Sequence, residues 1–411
     1  MNSQRGFRPG PAIMVTAAFI GPGTVMTASK AGADFGFALL WAVAFSVVTA
    51  IVLQEMAARL GIVSGKGLAH AIQSAFTNSL ARWSAIALVL GAILFGNTAY
   101  QTGNLLGAAA GMQVLTTWDS AAWAIAIAVV AASIILTGRF AVIQWALTAL
   151  VSLMGLVFLM AAVFSGPQLS QLISGFKFSI PEGSGWLTVA LIGTTVVPYN
   201  LFLHASAAAM KYESEEKDSS IRCSFYDTVI SIVVGGLITA ALLVTAAITF
   251  ADGQELSSVK DIAKQLRPSL GAWAERAFAM GLFAAGLTSS ITAPIAAAYA
   301  TAGCLGWEPK LSNPRLKVTA LIVIAIGLGC AIQFGSSPKE TIIIAQAANG
   351  LLLPIVAVFL LFSLNRSAVM GEHKNGLITN LLSLLVVATT VILAAQQFHS
   401  VWNKLADMLS G

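Results

Sequence analysis

Charge is what this chain has least of. Only 9% of its 411 residues are charged, against 57% hydrophobic, and a mean hydropathy of +0.84 lies far outside soluble globular usage. A water-soluble domain is thereby excluded, and the chain reads as an all-α polytopic membrane protein. Cysteine is almost as scarce: Cys223, Cys304 and Cys330 share no paired spacing, which argues against a disulfide framework or a thiolate cluster and leaves them as small apolar fillers. The net charge of +5 is scattered over short loops, so the bilayer, not nucleic acid, is the expected partner. A Walker-type loop is missing too, because Gly65-Lys66-Gly67 lacks the upstream glycine and the hydroxyl residue. Neither an enzyme, nor a nucleotide-driven pump, nor a cofactor is expected. Residues 1–10 are short and basic, without the pattern of a cleavable signal.

Apolar runs are what the chain has in quantity. Requiring roughly 20 apolar residues per span, eleven segments emerge, near residues 11–33, 37–60, 82–112, 120–137, 141–165, 186–210, 224–250, 270–304, 317–334, 340–363 and 376–398. The third and eighth are longer than a bilayer requires and are expected to tilt or to project beyond it. With the N-terminus inside, Arg5, Arg8, Arg59, Lys66, Arg82, Arg139, Lys211, Lys217, Arg222, Lys310, Arg315, Lys317, Arg366 and Lys374 fall on the cytoplasmic side. That is the distribution the positive-inside rule favours, and the C-terminus then lies outside. The expected location is a bacterial or archaeal plasma membrane. Residues 211–222 read as a solvated, mixed-charge connector.

Two segments are interrupted where a membrane helix should be continuous, at Gly21-Pro22-Gly23-Thr24 in the first and Val197-Pro198-Tyr199-Asn200 in the sixth. Broken helices leave backbone groups unpaired in hydrocarbon, which is tolerated only where those groups line a cavity or bind something. The breaks occupy matching places in two five-segment halves, and five is odd, so the second half must be inverted. That is a LeuT-like 5+5 inverted repeat, about residues 11–165 and 186–363, plus an eleventh helix at about 376–398, all in one transmembrane domain.

The breaks also nominate the site. Gly21 and Gly23 have no side-chain bulk, so a ligand can approach the backbone, and the half-helix restarting near Thr24 turns its positive end toward the gap. Pro198 has no N–H to donate, which frees the carbonyl of Thr194. The expected binding set is Gly21, Gly23, Thr24, Thr194, Thr195, Val197, Tyr199 and Asn200, joined by Gln346 of segment 10. Gln101 and Asn104 share a face of segment 3 with Asn97; with His204 and Asn349 they are the candidate pathway-lining residues. No metal ligand is assigned on this reading. Gly103, Gly107 and Gly111, four apart, read as a close-packing seam, and Pro354 as a kink.

The chain resembles the Nramp (natural resistance-associated macrophage protein) transporters. Gly-Pro-Gly-Thr is followed by Ala31-Gly32-Ala33-Asp34-Phe35-Gly36-Phe37, Leu40-Trp41, Leu60-Gly61-Ile62 and Gly65-Lys66-Gly67-Leu68; farther on come Asn200-Leu201-Phe202-Leu203-His204, Asp227-Thr228, Ser289-Ser290-Ile291-Thr292 and Leu353-Pro354. The resemblance implies a carrier of divalent transition metals, commonly with protons, whose metal site joins an Asp and an Asn of an Asp-Pro-Gly-Asn run to a Met of a Met-Pro-His-Asn run. Here Gly21 stands at the Asp, Thr24 at the Asn, Val197 at the Met and Tyr199 at the His. Gln101 and Asn104 stand where the family has acidic residues tied to proton movement.

Losing the carboxylate removes the charge that offsets dehydration of a dication, and losing the thioether removes the soft ligand. A neutral, oxygen-rich cavity suits a hydrated hard cation such as Mg²⁺ better than Mn²⁺ or Fe²⁺. The alternatives are a transporter of a carboxylate-bearing organic solute or amino acid, with Lys30 about 9 Å along the helix, and a non-transporting sensor on the same scaffold. Lys30 reads more simply as a snorkelling residue. Glu55 is the i,i+4 partner of Arg59, Asp34 a turn or cap residue, and Asp227 an N-cap of segment 7. His204 is open to a proton-linked or a packing role. Oligomeric state is not legible.

Overall fold

In the computed structural model the described residues are 20–75, 78–137, 140–251, 258–308, 312–335 and 338–410, with residues 12, 256 and 310. They are helical almost throughout: α1 (Pro22–Phe35), α2 (Leu40–Ser64), α3 (Leu68–Ala75), α4 (Ser79–Leu115), α5 (Ser120–Thr137), α6 (Phe140–Phe164), α7 (Leu169–Gly175), α8 (Gly185–Thr195), α9 (Pro198–Lys211), α10 (Lys217–Thr249), α11 (Ala274–Leu305), α12 (Pro314–Gln333), α13 (Pro338–Leu364) and α14 (Leu377–Ser410). A 3₁₀ helix, Val259–Leu266, precedes α11. Among the described residues eight stretches are long and apolar enough to cross a membrane, and Val151–Phe164 and Leu377–Ile392 are shorter apolar helices. The expected segments each coincide with one of these helices, segment 6 with the α8 and α9 pair, and segment 1 with α1 for its second half. Most of the first half of segment 1 lies outside the described residues, as do Arg5, Arg8 and Arg139.

The sixth segment is broken as the proline requires. Helix α8 ends at Thr195, Val197 is extended with φ −81° and ψ 121°, and Pro198 opens α9. Proline suits that first position, since its missing N–H would have no intrahelical partner there. Pro22 opens α1 in the same way, behind an extended Gly21. Helix α4, with 37 residues, spans about 55 Å at 1.5 Å per residue. It projects well beyond a hydrocarbon core of about 30 Å.

Small residues bring the helices together, since interhelical packing in a bilayer has little hydrophobic drive and rewards close backbone approach. A Cβ on Gly61 of α2 would stand 2.0 Å from the Ala205 carbonyl of α9, and one on Gly193 of α8 would stand 2.2 Å from the Gln346 carbonyl of α13. The seam on α4 divides among three neighbours: Gly103 faces Ala345 of α13, Gly107 receives Pro22 of α1, and Gly111 lies against Ala279 of α11. Large apolar side chains such as Ile125, Val129, Ile322, Ile326, Leu381 and Leu385 stay exposed on α5, α12 and α14, where lipid tails are as apolar as they are.

Several side chains depart from their sequence reading. Asp227 lies within α10, which begins at Lys217; its carboxylate accepts the backbone N–H of Ala12 at 3.0 Å. It therefore holds the backbone at Ala12 instead of capping its own helix. Asp34 forms an i,i+4 ion pair with Lys30, so the lysine's charge is matched. Cys304 is buried, but Cys223 is exposed and is no core filler. Glu55 and Arg59 pair as expected, at 2.7 Å. Arg59 also donates to the His373 carbonyl at 2.8 Å and to Asn375 Oδ1 at 2.7 Å, tying the segment after α13 to α2.

Candidate functional site

The two breaks meet in the interior, where α1, α4, α8, α9, α11 and α13 bury their polar faces. Thr24, Thr194, Asn200, Gln346, Asn104 and Asn349 are all at 0% exposure. Gly21 faces Ser289 of α11 and Tyr100 and Asn104 of α4, and Gly23 faces the Gln346 amide. Tyr199 packs edge-on to Tyr100, with ring centroids 5.4 Å apart and an interplanar angle of 66°.

Side-chain directions divide the expected residues. Asn104 turns its Oδ1 to within 3.8 Å of the Gly21 Cβ position. Gln101 instead donates to the Ser290 carbonyl at 3.3 Å and lies against Gly327, so its amide is held between α11 and α12. Gln346 fills the space beside Gly23, while Asn349 Oδ1 lies 3.2 Å from the Cβ position of Gly96 on α4, farther from the break. The Thr194 hydroxyl bonds back to the Leu191 carbonyl at 3.0 Å, and the Thr195 hydroxyl accepts from Ser46 of α2 at 3.2 Å. Thr194 has thereby spent its one donor and keeps its acceptor lone pairs, while Thr195 keeps its own O–H. Val197 is fully buried. His204 Nδ1 donates to Gln54 Oε1 at 2.9 Å, leaving its Nε2 without a partner.

Two features set the chemistry. Both amide atoms of Asn104, Asn200, Gln346 and Asn349 lack a partner, as do Ser290 Oγ and Gln101 Oε1. Each unsatisfied buried polar group costs about 1–3 kcal/mol, so this concentration marks a place that water or a ligand completes. The second feature is neutrality. Among the described residues no Asp, Glu, Lys or Arg is buried, and no group of three His, Cys, Asp or Glu side chains converges to hold a metal.

Paired breaks around a buried polar centre are a transporter arrangement. The family model for natural resistance-associated macrophage protein-like sequences (Nramp) matches residues 12–400. The chain belongs to the Nramp family. It is 28% identical to a divalent metal cation transporter, MntH, of Verminephrobacter eiseniae over 95% of this chain and 89% of that protein. To the MntH of Deinococcus radiodurans it is 30% identical, over 88% and 82%. A solved manganese transporter of Eremococcus coleocola superposes with a TM-score of 0.78 at 22% identity, covering 97% of this chain and 89% of that one. A nucleobase-cation-symport-1 family transporter follows at 0.59 and 13%, covering 97% and 93%. The fold is therefore the LeuT-like one, and Nramp proteins are integral membrane transporters, not enzymes.

Sequence reasoning missed Tyr100 and Ser289, which line this buried polar centre beside Gly21. A signal existed for the first: Tyr100 is three residues after Asn97 and four before Asn104, on the same helical face. Nothing in the sequence told which neighbour that face meets.

Proposed function

We propose that this Nramp protein is a secondary transporter of divalent metal cations that favours a hard, hydrated ion such as Mg²⁺ over Mn²⁺ or Fe²⁺. Alternating access arises from rocking of one helical bundle against another around the midplane site, with residues of about 11–165 and 186–363 forming inverted halves and the N-terminus cytoplasmic. The metal selectivity rests on one observation: the polar centre offers unpartnered oxygens and no buried acidic side chain among the described residues. A hydrated Mg²⁺ keeps its waters, whose hydrogens point outward and seek acceptors. Asn104, Asn200, Tyr199 and Gln346 supply such acceptors. Mn²⁺ and Fe²⁺ gain most from anionic and thioether ligands, which Gly21 and Val197 do not provide. Gln101 and Asn104 hold no titratable proton, so metal movement along α4 is not coupled to proton release there.

A second reading, a small carboxylate- or carbonyl-bearing organic solute, is favoured by the unpartnered amide nitrogens of Asn104, Asn200, Gln346 and Asn349. Waters bound to a cation present hydrogens to such donors, whereas a carbonyl presents lone pairs. A thermal-shift screen of the purified protein separates the two. Stabilisation by millimolar Mg²⁺ exceeding that by Mn²⁺ supports the cation reading; stabilisation by organic acids or amino acids alone replaces it.

A further inference from the structure

Gly21 is not a conformational necessity. Its backbone, at φ −108° and ψ −178°, is extended and open to any L-residue. What occupies the space beyond it is a set of side-chain oxygens: a Cβ at position 21 would stand 3.1 Å from Ser289 Oγ, 3.3 Å from Tyr100 Oη and 3.8 Å from Asn104 Oδ1. Tyr100, Ser289 and Asn104 are all at 0% exposure. The Tyr100 hydroxyl lies within hydrogen-bonding reach of the Tyr199 and Ser289 hydroxyls, and the Tyr199 ring against Tyr100 keeps that phenol from swinging away. Asn104, by contrast, has both amide atoms unpartnered.

We infer that Tyr100, Ser289 and Asn104 determine the specificity of the midplane site, with their neutral oxygens standing where an acidic side chain at position 21 would project. The inference rests on the cation reading above and names the atoms that carry it. Neutral oxygens accept hydrogen bonds from a cation's water shell but have too little charge to strip it, so an ion that holds its water is favoured over one that must shed it. The same crowding sets the two arrangements in competition. A Cβ on Gly21 already stands closer to the Ser289 and Tyr100 hydroxyls than ordinary contact allows, so a carboxylate there is accommodated better once the phenol oxygen is removed. Positions 21, 100 and 199 then act together: Tyr100 fills the space beside Gly21, and Tyr199 packs Tyr100 in place.

The test measures Mg²⁺ and Mn²⁺ binding by calorimetry on the purified full chain and on Tyr100→Phe, Ser289→Ala, Gly21→Asp and Gly21→Asp/Tyr100→Phe, each checked for monodispersity. Tyr100→Phe and Ser289→Ala should each weaken Mg²⁺ binding by about tenfold, the loss of one hydrogen bond to a charged ligand assembly. Gly21→Asp alone should change Mn²⁺ affinity by less than about threefold, while the double variant gains about tenfold or more. Full Mg²⁺ affinity in both hydroxyl variants would overturn the inference, as would a Mn²⁺ gain in Gly21→Asp equal to that of the double variant. Should the unmodified protein bind no Mg²⁺, the cation reading fails by itself. The Mn²⁺ comparison still judges the geometry: a gain confined to the double variant supports it, and no gain in either variant refutes it.

Discussion

Gly23→Ala places a methyl group 2.0 Å from Gln346 Nε2 and 2.3 Å from its Cδ. Carbon contacts settle at about 3.5–4.0 Å, so the amide must move by roughly 1.5 Å or the two helices must part. Swinging the amide aside does not clear the overlap, because it reaches back to Cγ at 2.9 Å and the side chain is fully buried. Overpacking of this kind costs about 1–3 kcal/mol. Against it stands a gain of up to about 1 kcal/mol from replacing glycine in a helix. The net expectation is a loss of about 1–2 kcal/mol. Gln346→Ala removes two unpartnered amide atoms together with the obstruction, so the double variant should recover most of the loss. The cycle should show a coupling of about 1–3 kcal/mol. Thermal unfolding midpoints of the four proteins in one detergent provide the assay. Wild-type stability in Gly23→Ala, or a double variant no better than the single, would refute the placement of Gln346 beside the break.

Other consequences lie away from the centre. Asp227→Ala removes the carboxylate that holds the Ala12 amide; hydrogen exchange at residue 12 should quicken by about tenfold, and an unchanged rate would contradict the cap. Arg59→Lys cannot span Glu55, His373 and Asn375 together, so it should cost about 1–2 kcal/mol and speed proteolysis within residues 371–376. At Asp261, burial works to raise the carboxyl's pKa, but hydrogen bonds from Lys264 and Ser258 more than offset it and hold the value below the ordinary range. That contribution is present above the unfolded pKa, about 3.9, and is lost as pH falls through the lower folded value. The stability gap between the native protein and Asp261→Asn should therefore shrink on acidification toward pH 3; a constant gap would exclude a role for the ionised cap.

The broken helix before α9 was legible because proline chemistry is local: Pro198 has no N–H, and a chain that cannot continue a helix ends one. The burial of the α4 amides was legible too, since Asn97, Gln101 and Asn104 lie at helical spacing. What failed depended on facts outside the local sequence. Asp227 was misread because the charged residues after Lys217 suggested a loop, whereas α10 starts there. The glycines of α4 share a spacing, but each meets a different neighbour. Gln101 and Asn104 looked equivalent, yet only Asn104 reaches Gly21. Tyr100 went unnoticed because its meaning depends on Ser289, far away in sequence and adjacent only once α4 and α11 pack.

The neutral, water-retaining character of the centre is tested most directly by flux into proteoliposomes that hold both a divalent-cation indicator and a pH indicator. Saturable Mg²⁺ entry exceeding Mn²⁺ entry, with internal pH unchanged, is the expected result. Saturable Mn²⁺ entry accompanied by acidification, with Mg²⁺ excluded, would contradict it.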